Sequence, residues 1–390
     1  MPVDYLHIRR KIAQYAETAP ELQTTVQHRL NAALAQLMAQ SRKVEELAAK
    51  VRAAAAQDKS LRTAVPVNEP LTTLRAADDA PLFATLLAAD GSQINPSRHD
   101  APPFGLVNLG IIQLQPGVAA VPQEHTSTEI LLGDDALVNG SLMSEDQIAL
   151  RRDIKERVEL AVLAKSAPQP VLTLTDGTLD LFREPKADTR YDEQFGAYLQ
   201  ALAALADIGA VTAAYVDKPG SDMVTRLLEL SRWDHGELWR AAEPPAFEGV
   251  RDASLFARIL GGGERSAVFA VQSRSAERFA QYDPRLALNI CFLNVGTTER
   301  PWIARVEFPA WVGQNAALLD QLQATLLQQC RQLGSQPFPY CLHRAHELAV
   351  VTWADKKTLQ EMLASALGLP ERVSNKQFHK DLPGRKRYGE

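Results

Sequence analysis

From about residue 82 onward, short apolar runs rich in β-branched residues alternate with longer segments of helical periodicity. Strands are expected over 86–89, 104–114, 171–175, 211–215, 266–272, 286–294 and 302–307. Helices are expected over 144–164, 195–208, 222–231 and 316–333, followed by a run at 347–352 interpreted as a strand and by a last helix. This alternation predicts an α/β fold, a mixed sheet flanked by helices.

The first 63 residues predict an N-terminal helical arm. Apolar residues recur there at spacings of three and four, with Gln40 filling one seam position: Val26, Leu30, Ala33, Leu37, Val44, Leu47 and Val51. Such a seam is typical of a coiled-coil arm and equally of a helix packed on its own core. Prolines at 66, 70 and 81 indicate a linker over 64–81, which leaves 82–373 as the main domain and 374–390 as a basic tail.

Charge and composition exclude several classes of protein. The net charge of -5 argues against coating a nucleic acid by bulk charge, so a polyanion needs a local basic patch, for which the tail is the candidate or else is merely solvated. No stretch approaches the roughly 20 apolar residues of a membrane span, and the N-terminus lacks a signal sequence, so we expect no membrane partner and no export. Three scattered cysteines, Cys291, Cys330 and Cys341, fit a reducing cytoplasm.

Two predicted strands end at the same dipeptide, Asp-Gly. Asp90 ends the first, in LLAADGS, and Asp176 ends the second, in LTLTDGT. One Asp-Gly after a strand is a common turn, but two instances preceded by a helical carboxylate at Glu159 indicate a site. Hard cations such as Mn²⁺ or Mg²⁺ take oxygen ligands, and a pair of ions can hold both oxygens of a phosphodiester displacement. The acids therefore predict a site for two divalent ions.

Five blocks together resemble a known family. They are AADGSQ, the block ending in TLTDGTLDLF, YVDKPGSDMV, DASLFARIL with GERSAVFAV, and PYCLHRAHELAVVTWAD. Over about residues 80–360, their order and spacing are similar to those of the NurA nuclease domain. The resemblance implies an RNase H-like core, a manganese-preferring nuclease that acts on DNA ends, a homodimer, and partnership with a hexameric HerA-type ATPase translocase.

The resemblance also implies site residues by position. Asp90 and Asp176 match the two metal-binding aspartates of the family, and Glu159 matches the glutamate between them, with Glu156 one helical turn earlier as the other possible register. His346, in Arg344-Ala345-His346, matches a histidine that binds metal or contacts the scissile phosphate; the other interpretation is a structural histidine at the start of a strand.

Four further residues are candidates for contacts around the metal ligands or with DNA. Tyr340 and Asp355 resemble a tyrosine and an acid of the family, although their spacing departs from the family pattern. Arg344 is a candidate through its place beside His346. Arg265 could neutralise a phosphate or fix an acid of the site, or could be an ordinary surface arginine. The triplet Gly261-Gly262-Gly263 is not followed by Lys-Ser/Thr, so a nucleotide-binding loop is not expected.

The predicted reaction is metal-assisted hydrolysis of DNA in end resection or in defence against foreign DNA. Asp90 would bridge two ions, Glu159 and Asp176 would complete their shells, and His346 would orient water or phosphate. Two other functions remain open at this point. One is a structural subunit of a translocase complex with degenerate carboxylates, and the other is a phosphohydrolase acting on a small molecule.

Overall fold

A single nine-stranded sheet organises the protein. The structure is a computed structural model and describes residues 3–76, 82–100, 102–181, 190–234 and 244–368. The strands of the sheet are β1 (Thr63–Pro66), β2 (Thr85–Ile94), β3 (Phe104–Leu114), β4 (Gln123–Leu132), β7 (Val171–Asp176), β8 (Val211–Val216), β9 (Phe269–Gln272), β10 (Leu288–Asn294) and β11 (Ile303–Pro309). They lie side by side in the order β1-β9-β10-β11-β8-β7-β2-β3-β4. The short strands β5 (Leu137–Val138) and β6 (Ser141–Leu142) pair separately.

Helices lie on both faces of this sheet. They are α1 (Tyr5–Gln40), α2 (Val44–Gln57), α3 (Glu145–Ala164), α4 (Tyr191–Asp207), α5 (Met223–Leu230), α6 (Asp252–Phe256), α7 (Arg274–Tyr282), α8 (Ala310–Gly313), α9 (Ala316–Arg331), α10 (Tyr340–Ala349) and α11 (Trp353–Ala366). The predicted α/β class with a mixed sheet flanked by helices is therefore confirmed.

The centre of the sheet combines antiparallel and parallel pairing. Strands β2, β3 and β4 form an antiparallel meander, whereas β7 runs parallel to β2 and β8 runs parallel to β7. Parallel neighbours need a crossover, which α3 supplies between the meander and β7 and α4 supplies between β7 and β8. The carboxyl ends of β2, β7 and β8 consequently point the same way.

Side chains alternate between the two faces of β2 and pack into two different cores. Leu86 and Ala88 join the core shared with α9 and α10, whereas Leu87 and Ala89 join the core shared with α3 and α4. Because alternate residues of a strand point to opposite faces, Asp90 belongs to the α10 face and Gly91 to the α3 face.

The N-terminal helices are partly integrated into the body of the protein. The seam predicted as one long helix is broken at residues 41–43 between α1 and α2, and five of its side chains are buried against α5 and its neighbours: Leu30, Ala33, Leu37, Leu47 and Val51. This part of the seam packs on its own core. In contrast, the first half of α1 exposes its apolar side chains, including Val26.

Two sequence-based boundaries were wrong. Residues 63–66, at the start of the predicted linker, form β1, which pairs antiparallel with β9. The run 347–352 was interpreted as a strand, but residues up to Ala349 belong to α10, which lies across β2 and β3. Both errors arise because long-range pairing and packing override local preference in short segments. The basic tail at 374–390 lies outside the described residues.

Other local predictions were confirmed. The helix expected from Ser144 is α3, and Ser144 and Gln147 form the predicted capping box. The three cysteines are unpaired and buried, and burial raises the pKa of each thiol to about 12. Among the described helices, none is both long enough and apolar enough to cross a membrane.

Candidate active site at the carboxyl ends of the central strands

Asp90 lies within β2 and not in a turn after it. The segment Asp90-Gly91-Ser92 was predicted as a turn, but β2 continues to Ile94 and pairs with β3, where Asp90 is opposite Gly110. The Asp90 side chain is 16% exposed, and its Oδ1 accepts a hydrogen bond of 2.9 Å from the Gly91 amide. A carboxylate thus projects from the α10 face of the central strand, where it is largely shielded from water.

Asp176 ends the neighbouring strand β7. The parallel register pairs Ala89 with Thr175, so Asp90 and Asp176 are the next residues on adjacent strands and share a face. Partial desolvation by the surrounding groups raises the pKa of Asp176 to about 6, and the negative charge of Asp90 adds to this, although the residue itself is exposed at the surface. The two predicted aspartates are therefore brought together.

His346 joins Asp90 and Asp176 from α10, the helix that packs on this face of the sheet. It lies in the last turn of α10, and its Nδ1 is 2.6 Å from Asp90 Oδ2. The imidazole is 62% exposed, so it borders solvent at the mouth of the site. The structure places His346 beside Asp90 in a helix, whereas the interpretation as a structural histidine had put it at the start of a strand.

The helical carboxylate beside Gly91, the residue that follows Asp90, belongs to Glu156. A Cβ placed on Gly91 would lie 2.8 Å from Glu156 Oε1, so the missing side chain of Gly91 leaves the gap into which Glu156 extends from α3. The Glu156 side chain is 7% exposed, and burial, with Asp153 and Asp90 adding repulsion, raises its pKa well above the usual value.

Glu159, the glutamate preferred from the sequence, lies elsewhere. Its Oε1 accepts a hydrogen bond of 3.2 Å from Ser127 on β4, and it lines a separate pocket with Glu129, Arg151 and Lys155. Three residues along a helix rotate a side chain by about 60° from its starting direction, which suffices to separate the two glutamates. The structure therefore does not bring Glu159 together with Asp90.

Asp217 is a neighbour of the site that the sequence interpretation missed. It directly follows β8, and its charge adds to the raised pKa of Asp176 on the adjacent strand. Its Oδ1 accepts a hydrogen bond of 2.7 Å from Trp302 Nε1. The signal was present, since Asp217 is a third aspartate at the end of an apolar strand, but it lacks the following glycine.

Arg265 and Asp355 have structural partners. Arg265 is buried and pairs with Glu69 at 3.1 Å, so it is neither an ordinary surface arginine nor placed to bind a phosphate. Asp355 caps α11, accepting hydrogen bonds from the amide and hydroxyl of Thr352 that lower its pKa. These contacts account for an arginine at position 265 and an aspartate at position 355 without a role in the site.

Arg344 and Tyr340 share α10 with His346 but differ in position. Arg344 makes exposed ion pairs with Glu124 at 3.0 Å and Glu347 at 2.6 Å. Tyr340 is the first residue of α10, about 9 Å along the helix axis from His346. The three glycines at 261–263 use their amides on Glu264, Thr298 and Asn294, so they do not form a phosphate-binding loop.

A pocket of about 170 Å³ lies between α3 and the end of β7. Glu156 and Asp176 line it together with Asp180, Arg152 and Arg157. Within the ranges that the structure describes, no three His, Cys, Asp or Glu side chains are close enough to form a complete metal shell. The oxygen donors are nevertheless of the type that Mn²⁺ and Mg²⁺ prefer, and the pKa values of Glu156 and Asp176 are raised by burial first and by neighbouring carboxylates second.

Fold and site together define a class of protein. An antiparallel meander followed by two parallel strands is an RNase H-like arrangement, and here aspartates lie on the first and fourth of these five strands, with a glutamate of the crossover helix beside Gly91. The NurA domain family matches residues 84–351, which is more than half of the chain. The chain belongs to the NurA family and is a nuclease.

Solved structures agree with this assignment. The NurA nuclease from Sulfolobus solfataricus is 11% identical, with a TM-score of 0.53 over 93% of this chain and 97% of that one. A NurA structure with manganese is 8% identical, with a TM-score of 0.43 over 75% and 91%, and the catalytic domain of human endonuclease V is 14% identical, with a TM-score of 0.31 over 83% and 96%. Only the first of these three scores supports a shared overall fold. No curated protein sequence matches the chain significantly.

Proposed function

We propose that this nuclease hydrolyses phosphodiester bonds of DNA with divalent cations bound by Asp90, Asp176 and Glu156. The observation that carries the proposal is the convergence of Asp90 and Asp176 on adjacent strands, with the pKa of Asp176 raised to about 6. Crowded acids are unfavourable without a cation, so their juxtaposition at the strand ends supports a binding role. It also argues against a degenerate, purely structural subunit.

The protein residues would have distinct roles. Asp90, Asp176 and Glu156 would hold the Mn²⁺ or Mg²⁺ ions through their carboxylate oxygens, with Asp90 next to His346. When bound, such ions lower the pKa of water and neutralise the leaving oxygen of a phosphodiester. His346 holds one oxygen of Asp90 at 2.6 Å and exposes its ring to the solvent side, where a phosphate would approach.

We assign the third metal-binding carboxylate to Glu156, and not to Glu159, because of the contacts that each side chain makes. Glu156 reaches the gap at Gly91 beside Asp90, whereas Glu159 bonds to Ser127 and faces the cluster of Glu129, Arg151 and Lys155. A ligand oxygen must approach the ion to about 2 Å, so Glu159, whose carboxylate is hydrogen-bonded to Ser127 on β4, is poorly placed to bind it.

We also propose that the protein is a cytoplasmic homodimer that works with a HerA-type translocase on DNA ends, in resection or in defence against foreign DNA. Membership of the NurA family supports the partnership with a translocase. If an ATPase drives the DNA, the nuclease needs no nucleotide-binding loop of its own. The exposed apolar face of α1 supports self-association. Three unpaired cysteine thiols support a reducing compartment.

An end-labelled duplex and a circular single strand, incubated with Mn²⁺, Mg²⁺ or EDTA, test the activity. We expect metal-dependent cleavage that Asp90→Asn and Asp176→Asn each reduce at least about 100-fold. Asp355→Asn is the control, since this acid caps α11 away from the ligands and should cost little activity. Cleavage that persists in EDTA or in both aspartate variants would contradict the proposed site. Adding a cognate translocase tests the partnership separately.

A further inference from the structure

The last turn of α10, which carries His346, is fastened to the sheet at one carbonyl. Ser92 Oγ on β2 donates a hydrogen bond of 2.6 Å to Ala349 O, and Asn108 Nδ2 on β3 donates a second of 2.8 Å to the same oxygen. Ser92 and Asn108 are cross-strand partners. The final carbonyls of a helix have no partner within the helix, so two side chains of the sheet replace it here.

The amide of Asn108 is itself held in place. Thr128 on β4, its partner in the register, donates a hydrogen bond of 2.6 Å to Asn108 Oδ1. This contact fixes the orientation of the amide, so that its NH₂ group is directed at Ala349. Three adjacent strands thus contribute to one fastening point at the carboxyl end of α10.

Gly110 sets how closely α10 approaches the sheet. It lies opposite Asp90 in the register, and a Cβ at this position would be 2.5 Å from Ala345 O and 2.7 Å from Ala349 N. Both neighbours are backbone atoms, which cannot rotate away as a flexible side chain could. The helix backbone consequently rests on β3 directly beside Asp90.

We propose that Ser92, Asn108 and Gly110 are positioning residues that set the contact between His346 and Asp90, an inference that rests on the proposed function. His346 is only three residues before Ala349, and its carbonyl accepts the Val350 amide at 3.1 Å, so both ends of this last turn are constrained. The imidazole is mostly exposed and has little packing of its own. Its place at 2.6 Å from Asp90 therefore depends on the backbone of the turn.

Gly110→Ala tests the close approach. We expect it to displace the last turn, lengthen the His346 Nδ1 to Asp90 Oδ2 distance beyond 3.5 Å in a crystal structure, and lower kcat about 100-fold with KM for DNA nearly unchanged. Gly105→Ala is the matched control on the same strand, because its nearest contact would be 3.1 Å, to Pro96 Cγ and away from α10. An unchanged distance and kcat in Gly110→Ala would overturn the inference.

Substitutions of Ser92 and Asn108 test the two hydrogen bonds to Ala349 O even if Gly110→Ala does not fold. We expect Ser92→Ala and Asn108→Ala to lower kcat about tenfold each, and Ser92→Thr, which keeps the hydroxyl, to restore most of it. In a His346→Ala background, the same two substitutions should have no further effect, because they act through His346. Equal losses with and without His346 would show a merely structural role and refute the proposal.

The outcomes separate this inference from the proposed function. If the wild-type protein shows no metal-dependent cleavage, the function fails, and the crystallographic distance in the variants still decides the positioning role. If the wild type cleaves DNA but the three variants retain both the distance and kcat, the positioning role fails alone.

Discussion

Glu156 and Glu159 are one helical turn apart but have opposite surroundings. Glu156 is buried beside Gly91 with its pKa raised, whereas Glu159 has a hydroxyl donor on β4 and basic neighbours. The difference of three residues decides which carboxylate lies beside Gly91. Because Gly91 has no side chain, the carboxylate of Glu156 on α3 can reach the central strand β2.

The matched pair Glu156→Gln and Glu159→Gln checks this assignment. We expect Glu156→Gln to lose at least about 100-fold in kcat, because it removes a charged oxygen from the proposed metal shell. Glu159→Gln should stay within a few-fold of the wild type, since its amide can still accept from Ser127. Cleavage rates with Mn²⁺, measured alongside melting temperatures, make the comparison; an inactive Glu159→Gln beside an active Glu156→Gln would reverse the assignment.

Asp176 predicts how stability depends on pH in metal-free protein. Its pKa is about 6 in the folded chain and about 3.9 when unfolded, so the folded state holds the proton more tightly over that window. Its ionisation therefore lowers stability as pH rises from about 4 to 6, and the loss is complete above pH 6.

Asp176→Asn should remove this loss. In EDTA, we expect the variant to melt at a higher temperature than the wild type at pH 8 and at nearly the same temperature at pH 4, where both are uncharged at this position. Calorimetric scans at the two pH values measure the difference. A gain of equal size at both pH values would contradict the electrostatic explanation.

At the scale of elements, most apolar side chains in the first part of α1 are exposed among the residues that the structure describes. Residues 5–28 extend about 36 Å, and apolar side chains recur along them at heptad spacing: Tyr5, Ile8, Ile12, Tyr15, Ala19, Leu22 and Val26. Parallel pairing with a second copy would bring Arg9, Arg10 and Lys11 next to the same residues of that copy. Antiparallel pairing instead places them towards Glu17 and Glu21.

Ile12→Glu tests whether this face pairs in the proposed homodimer. We expect light scattering to show a dimer for the wild type and a monomer for Ile12→Glu, because a buried charge in the seam is unfavourable. Gln14→Glu adds the same charge about 200° around the helix and should leave the dimer intact. If the two variants have the same oligomeric state, another surface makes the dimer.

Sequence patterns predicted the elements with strong local signals and missed those decided by distant partners. The capping box at Ser144 and the buried run of β7 could be located because their determinants are contiguous. Asp90-Gly91-Ser92 looked like a turn, yet β3 pairs with all three residues and keeps them extended. The strand ends pointed to Asp90 and Asp176, which the structure brings onto adjacent strands, but the choice between Glu156 and Glu159 depends on a glycine in another element.

At the scale of the whole molecule, the arrangement of the sheet joins distant parts of the chain. The five central strands carry the site, whereas β11, β10, β9 and β1 extend the sheet on the side of β8. The NurA family match begins at residue 84, yet β1 lies before it and belongs to the same sheet. The N-terminal segment therefore contributes to the body of the nuclease as well as to the exposed half of α1.

The pairing of β1 with β9 has a consequence for synthesis on the ribosome. Thr63 is opposite Gln272, so the edge strand must wait for about two hundred further residues before its partner emerges. At roughly 5–20 residues per second, that interval lasts from about ten to forty seconds. During it, α1, α2 and β1 keep apolar surface uncovered, whereas the meander of β2, β3 and β4 can close from neighbouring residues. The nascent chain thus passes through a stage in which its N-terminal segment still lacks the partners it has in the fold, and that stage is where a chaperone would have the most to protect.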